Sequence, residues 1–144
     1  MNYSPEMAEA LHQAGHALTV ICGGGTVDEL TIMRCTWPDL ADSVDELCAI
    51  VAGPAATEFF CPDDSDPWGE QSGDTDAADY HRVRAGMADA EVQKATKIAE
   101  QTINREAGIV HAIAAELVLR GQLTHEELVA VVEGKPGARQ ASAA

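Results

Sequence analysis

Residues 12–16 read His-Gln-Ala-Gly-His. Two histidines four apart lie on one face of a helix, so both imidazoles reach the same cation. A hydrolytic metal site needs more than this pair. It takes a third protein ligand, leaves a fourth position for water, and uses a carboxylate to accept that water's proton. The place for this base is directly after the first histidine, and here it is Gln13. Glutamine keeps the size and the hydrogen-bonding capacity of glutamate but accepts no proton near pH 7. Losing a general base costs about 10²–10⁴ in rate. Gly15 adds a second signal. Glycine inside a helix costs about 1 kcal/mol against alanine, which implies that another group approaches the backbone closely there.

The elements that must position these residues are readable from caps and periodicity. Ser4 as N-cap and Pro5 at the first helical position start a helix that runs to Cys22 and stops at Gly23-Gly24-Gly25. Thr26 to Met33, rich in β-branched residues, predicts a short strand. Trp37-Pro38 breaks the pattern, and Ser43 with Glu46 reads as the capping box of a second helix ending by Phe60. Residues 61–74 form a loop. Helical pattern then runs from Thr75 to Arg105 with a bend at Gly86, followed by helices over 107–120 and 125–133. The last of these has its own box, Thr124 with Glu127. The expected architecture is mainly α, one domain over residues 1–133, with 134–144 a small, polar, flexible tail. There is no internal repeat and no phosphate-cradling Gly-x-x-x-x-Gly-Lys loop.

Composition bounds the function classes. A chain of 144 residues, 46% apolar but with only six aromatic side chains, favours close-packed helices over a β-sandwich. A formal charge of −15 opposes nucleic acid and anionic membranes as partners. Between Arg34 and Arg82 there is no Lys or Arg, while twelve carboxylates fall in the interval. This is either a solvated acidic face or a negative field around a cation site. Cys22, Cys35, Cys48 and Cys61 are thirteen apart, a spacing that matches no thiolate metal site. They are expected to be mostly buried free thiols of a reducing compartment. With no signal-peptide pattern at the start and no apolar run of about 20 residues, a soluble, cytoplasmic protein is expected.

Beyond the histidine pair, Leu11-His12-Gln13-Ala14-Gly15-His16-Ala17-Leu18 resembles the His-Glu-Ala-Gly-His-Ala segment of the FtsH-type zinc metallopeptidase domain. Val27-Asp28-Glu29-Leu30-Thr31-Ile32 is similar to that family's strand along the active-site cleft. Val51-Ala52-Gly53-Pro54-Ala55-Ala56-Thr57-Glu58 is similar to its Gly-x-Ala-Ala-Glu helix. Ser72-Gly73 resembles the segment leading to the third zinc ligand, and Leu119 to Leu128 the C-terminal helix-turn-helix. The likeness spans most of residues 6–130, and the histidine motif is its specific part. It implies a compact zincin-like helical domain with a short strand or hairpin beside the metal helix. It also implies Zn2+ held by His12, His16 and an aspartate, and a strand edge at Val27, Leu30 and Thr31 that binds an extended peptide.

Three departures from the family qualify what the resemblance implies. The ATPase and transmembrane portions of the full-length proteases are missing, so substrates would be short or already unfolded chains, and a ring is not to be assumed although an oligomer remains open. The acidic loop shifts the register of the third ligand. Asp76 and Asp79 both fit, with Asp76 preferred because Thr75 makes a good helix start, and Asp74 ranks behind them. Aspartates not used as ligands would stabilise the helix dipole. Gln13 occupies the general-base position, and Glu9, a turn away, is not expected to replace it. The chain therefore reads as a zinc metallopeptidase domain inactive through Gln13, or as a natural pseudopeptidase that binds peptides or proteins without cutting them. His81, His111 and His125 read as surface or cap residues, and Trp68 as a lid anchor or a packed loop residue.

Overall fold

The computed structural model describes residues 2–69 and 75–134. Ser72-Gly73, Asp74 and the expected tail beyond Gly134 lie outside the described residues. The fold is mainly α, with six helices and one two-stranded hairpin among the described residues: α1 (Pro5–Cys22), β1 (Glu29–Leu30), β2 (Cys35–Thr36), α2 (Ser43–Phe60), α3 (Asp76–Arg84), α4 (Asp89–Arg105), α5 (Ala107–Arg120) and α6 (His125–Val132). Among the described residues, no helix is long and apolar enough to cross a membrane.

α1 and α2 form the centre. Each is buried over an unbroken run, Ala10 to Val20 and Glu46 to Thr57, so both lie inside the helix cluster instead of on its surface. α5 packs on α1, and α4 packs on α2. The core is built from Leu11, Leu18, Leu47, Ile103, Ile113, Leu117 and Leu128, with alanines filling the tighter contacts. Gly15 explains the tightness. A Cβ there would lie 2.5 Å from the Ala52 carbonyl oxygen and 2.8 Å from the Ala56 Cβ. The close backbone approach that a mid-helix glycine implies is therefore the α1–α2 contact itself.

Several local expectations hold and several change. Ser4 Oγ accepts from the Met7 N–H and caps α1 beside Pro5. Thr124 and Glu127 exchange both bonds of a capping box at α6. At α2 the cap is Asp42, whose carboxylate accepts from the Val44 and Asp45 N–H groups. Glu46 is not part of a box. Its buried carboxylate accepts from Trp37 Nε1 at 3.0 Å and from the Leu40 N–H at 2.9 Å, because a partly buried indole N–H requires an acceptor. The helix expected over 75–105 is two helices. The chain turns at Ala85–Ala88, where extended backbone at Ala88 starts α4 and Glu91 accepts from the Ala88 N–H.

The strand expected over Thr26–Met33 shortens to Glu29–Leu30, paired antiparallel with Cys35–Thr36 in the register Glu29 to Thr36 and Leu30 to Cys35. Its far side is occupied: Thr31 bridges Gln122, and the Leu123 N–H donates to the Leu30 carbonyl at 3.0 Å. Gly121, at φ 83°, ends α5 in the left-handed conformation and brings these residues to the hairpin. His125 also serves there, its Nδ1 accepting from the Val27 N–H.

The cysteines are less buried than expected. Only Cys48 is buried; Cys35 and Cys61 are half-buried and Cys22 is exposed, all four as free thiols. The physical reason is position, since Cys22 ends α1 and Cys61 follows the end of α2. Burial, with Asp45 and Cys22 adding, pushes the Cys48 thiol up to about 12. At pH 8 the native protein should therefore leave Cys48 unalkylated by iodoacetamide while exposed Cys22 is labelled, and Cys48 should react only after unfolding. Mass mapping that finds Cys48 labelled as fast as Cys22 contradicts this packing. Gly15→Ala is expected to lose about 1–3 kcal/mol of stability through overpacking, read by urea denaturation, despite its better helix propensity.

Candidate metal centre

Three buried side chains converge where α1, α2 and the start of α3 meet. His12 is 7% exposed, His16 2% and Asp76 9%. Asp76 Oδ2 lies 2.7 Å from His12 Nε2 and 3.0 Å from His16 Nε2. The histidines are one turn apart on α1, their rings edge to face with centroids 4.9 Å apart. Asp76 is the first residue of α3, so that helix start carries it to the pair.

The other ring nitrogens decide what the site can hold. His16 Nδ1 donates to the Ala49 carbonyl at 2.8 Å, since a carbonyl only accepts. His12 Nδ1 lies 2.8 Å from Thr57 Oγ1. The Thr57 hydroxyl gives its own hydrogen to the Gly53 carbonyl at 3.4 Å, so it accepts from His12. Each ring thus carries hydrogen on Nδ1 and turns Nε2 toward the Asp76 carboxylate oxygen, as a lone pair when the imidazole is neutral and as an N–H donor when it is protonated. A proton or a metal ion between these atoms offsets the carboxylate's charge. Burial would raise the Asp76 carboxyl, but His16 and then His12 outweigh it and hold it well below the ordinary carboxylate range.

The ligand atoms of these three residues all lie within 4.8 Å of one another. A tetrahedral ion with bonds of about 2.0–2.1 Å spaces its ligand atoms roughly 3.3 Å apart, somewhat beyond the 2.7 and 3.0 Å that separate Asp76 Oδ2 from the two Nε2 atoms. A buried His-His-Asp group of this shape can hold a metal ion.

α2 is shaped to admit the site. A Cβ at Gly53 would overlap the His16 imidazole. Pro54, next to it, lacks an N–H and removes a rung of the helix ladder at Ile50, beside the Ala49 carbonyl that His16 uses. Trp37 covers His16, ring centroids 5.5 Å apart, and Glu46 holds the indole.

The cluster opens into a cleft of about 650 Å³. Gln13 and Glu9 on α1 line it, with Met33–Thr36 of the hairpin, Thr57, and Asp64, Asp66, Pro67 and Gly69 of the acidic loop. Gln13 is therefore at the cleft, one residue from a ligand, as its sequence position implied. Asp79 is elsewhere: its carboxylate is half exposed and lies 3.6 Å from the Arg82 guanidinium. Val27 and Leu30 are buried in the core and Thr31 bridges Gln122, so none of the three lines the cleft. The strand at the cleft is β2, because β1 is enclosed between β2 and Gln122–Leu123. Glu58 is exposed, and its neighbour Thr57 is the residue that meets the site. His81 and His111 are exposed, and Trp68 packs edge to face on Tyr80 at 5.1 Å. Burial, with the charge of Asp76 adding, pushes the Cys35 thiol up, and its sulfur is not part of the His12–His16–Asp76 group.

Gly53 and Thr57 lie in the segment that the resemblance sets beside the site, whereas Trp37 and Glu46 carried no signal as supports in the sequence. Only the spacing of Gly53 and Thr57, four apart on a helix, hints at a shared face. Comparison with protein-family models and with curated proteins finds no match to this chain.

Thr57→Val keeps the shape and removes the acceptor for His12. Metal affinity should fall about 10–100-fold, measured by competition with a chromophoric chelator. An unchanged affinity would mean that Thr57 does not orient His12.

Proposed function

We propose that this cleft is a zinc site of the metallopeptidase type that the sequence resembles, and that in this chain it binds peptides without cutting them at an appreciable rate. The observation that carries this reading is the convergence of two Nε2-presenting histidines and a buried carboxylate beside Gln13, at the floor of an open cleft. Two imidazole nitrogens and one carboxylate oxygen suit zinc, with one coordination position left over. When bound, the ion supplies Lewis acidity toward a carbonyl and acidifies water at the site.

The chain's own residues do the rest. His12 and His16 are held in the ligating tautomer by Thr57 and Ala49, and Asp76 contributes a negative charge that offsets the ion's. Cys35 offers a strand edge. The Thr31–Arg34 pair exchanges both backbone bonds, so the next pair, Leu30 with Cys35, is of the non-bonded kind. In an antiparallel ladder such a residue points its N–H and C=O away from the partner strand. For Cys35 that direction is toward the cleft it lines, where an extended peptide can add as a strand. Gln13 can hydrogen-bond a peptide group or a water but takes no proton. This favours the second reading, a peptide-binding pseudopeptidase, for the chain as it stands. A cleft of this size accepts a short, flexible or unfolded chain.

Gln13→Glu separates the readings. The zinc-loaded variant should cleave unstructured peptides about 10²–10⁴ times faster than the parent chain, by a quenched-fluorescence assay. Failure of the variant to cleave any peptide of a diverse library, with zinc still bound, would remove the peptidase reading.

A further inference from the structure

We propose that the cleft selects extended peptides carrying basic side chains, with Glu9, Asp64 and Asp66 as the selecting groups. This deepens the peptide-site reading above and rests on it. The three carboxylates come to the lining from two elements, Glu9 from α1 one turn before Gln13, and Asp64 and Asp66 from the loop after α2. None of them belongs to the His12–His16–Asp76 cluster. The loop is pinned where they sit, since Asp64 Oδ1 accepts from the Asp66 N–H at 2.8 Å. Among the described residues the lining has one arginine, Arg34, whose guanidinium lies 3.3 Å from the Glu29 carboxylate, which offsets its charge. From residue 35 to residue 81 the sequence supplies no Lys or Arg. A cleft lined by one sign of charge between low-dielectric walls focuses its field and concentrates the opposite charge.

Gln13 points independently to a peptide. It is 5% exposed, lines the cleft, and its amide has no hydrogen-bond partner among the described residues. The side chain is enclosed by the fold while its amide faces the cleft, so a molecule in the cleft can meet it. A peptide backbone satisfies both of its ends, its C=O accepting from the Gln13 NH2 and its N–H donating to the Gln13 oxygen. Backbone pairing at Gln13 and Cys35 runs the chain along the cleft, and a strand's alternating side chains then reach the walls that carry Glu9, Asp64 and Asp66.

The test uses the full zinc-loaded chain and three fluorescein-labelled octapeptides of one backbone pattern. Alternate positions carry Lys/Arg, Gln or Glu, and anisotropy is read at low and moderate salt. The basic peptide should bind about tenfold or more tighter than the neutral one, with the preference shrinking as salt rises. Glu9→Gln/Asp64→Asn/Asp66→Asn should remove most of that preference while its zinc content and melting temperature match the parent. Glu100→Gln/Glu126→Gln/Asp28→Asn removes as many charges from positions that do not line the cleft, and should keep the preference. Equal binding of basic and neutral peptides, or equal loss in the two triple variants, overturns charge selection while leaving the peptide site standing. No binding of any of the three peptides overturns both.

Discussion

The close crossing of α1 and α2 is the contact on which the site depends. Gly15 lets the Ala52 carbonyl and Ala56 reach the α1 backbone, and Gly53 leaves on α2 the space that the His16 ring fills. The two helices are thereby near enough for Ala49 and Thr57 of one to hold the ring nitrogens of His16 and His12 on the other. Those two bonds make Nδ1 the donor of each ring and leave both Nε2 atoms facing Asp76. The packing of two helices thereby assembles a group that can hold a metal ion.

On the proposed reading, Gln13 would separate binding from turnover at one position. The ligands, their supports and the cleft are independent of it, because none of the bonds that orient His12, His16 or Asp76 runs through its side chain. What it changes is proton transfer, which an amide does not perform. On the proposed reading such a chain would hold a ligand at its metal without turning it over, and the cleft walls, which include Glu9, Asp64 and Asp66, would set which ligand it holds.

Legibility in the sequence followed the range of the interactions. α1, with Ser4 and Pro5 at its start and three glycines after it, and α6, with its Thr124–Glu127 box, are local and were readable. The His12–His16 pair was legible because helical spacing alone puts both on one face, and Gly15 signalled a close approach. Asp76 against Asp79 was not decided by local pattern, since both sit in the first turn of the same helix; the tertiary placement of that turn selects Asp76. Glu46 looked like a capping residue because the spacing from Ser43 fits, but a long-range demand, the indole of Trp37, took its carboxylate. Val27, Leu30 and Thr31 formed the expected strand only in part, and the side expected to receive a peptide is filled by Gln122 and Leu123, which lie some ninety residues away in the chain.

The central claim is that the convergence of His12, His16 and Asp76 exists to hold a metal ion. Metal content after dialysis against trace zinc, by plasma mass spectrometry on the parent chain and on Asp76→Asn, tests it most directly. A metal centre at these residues gives about one zinc per parent chain, a melting temperature that drops when chelator removes it, and loss of most of the metal in the aspartate variant. A parent chain that stays metal-free in added zinc and melts at the same temperature with and without chelator would contradict it.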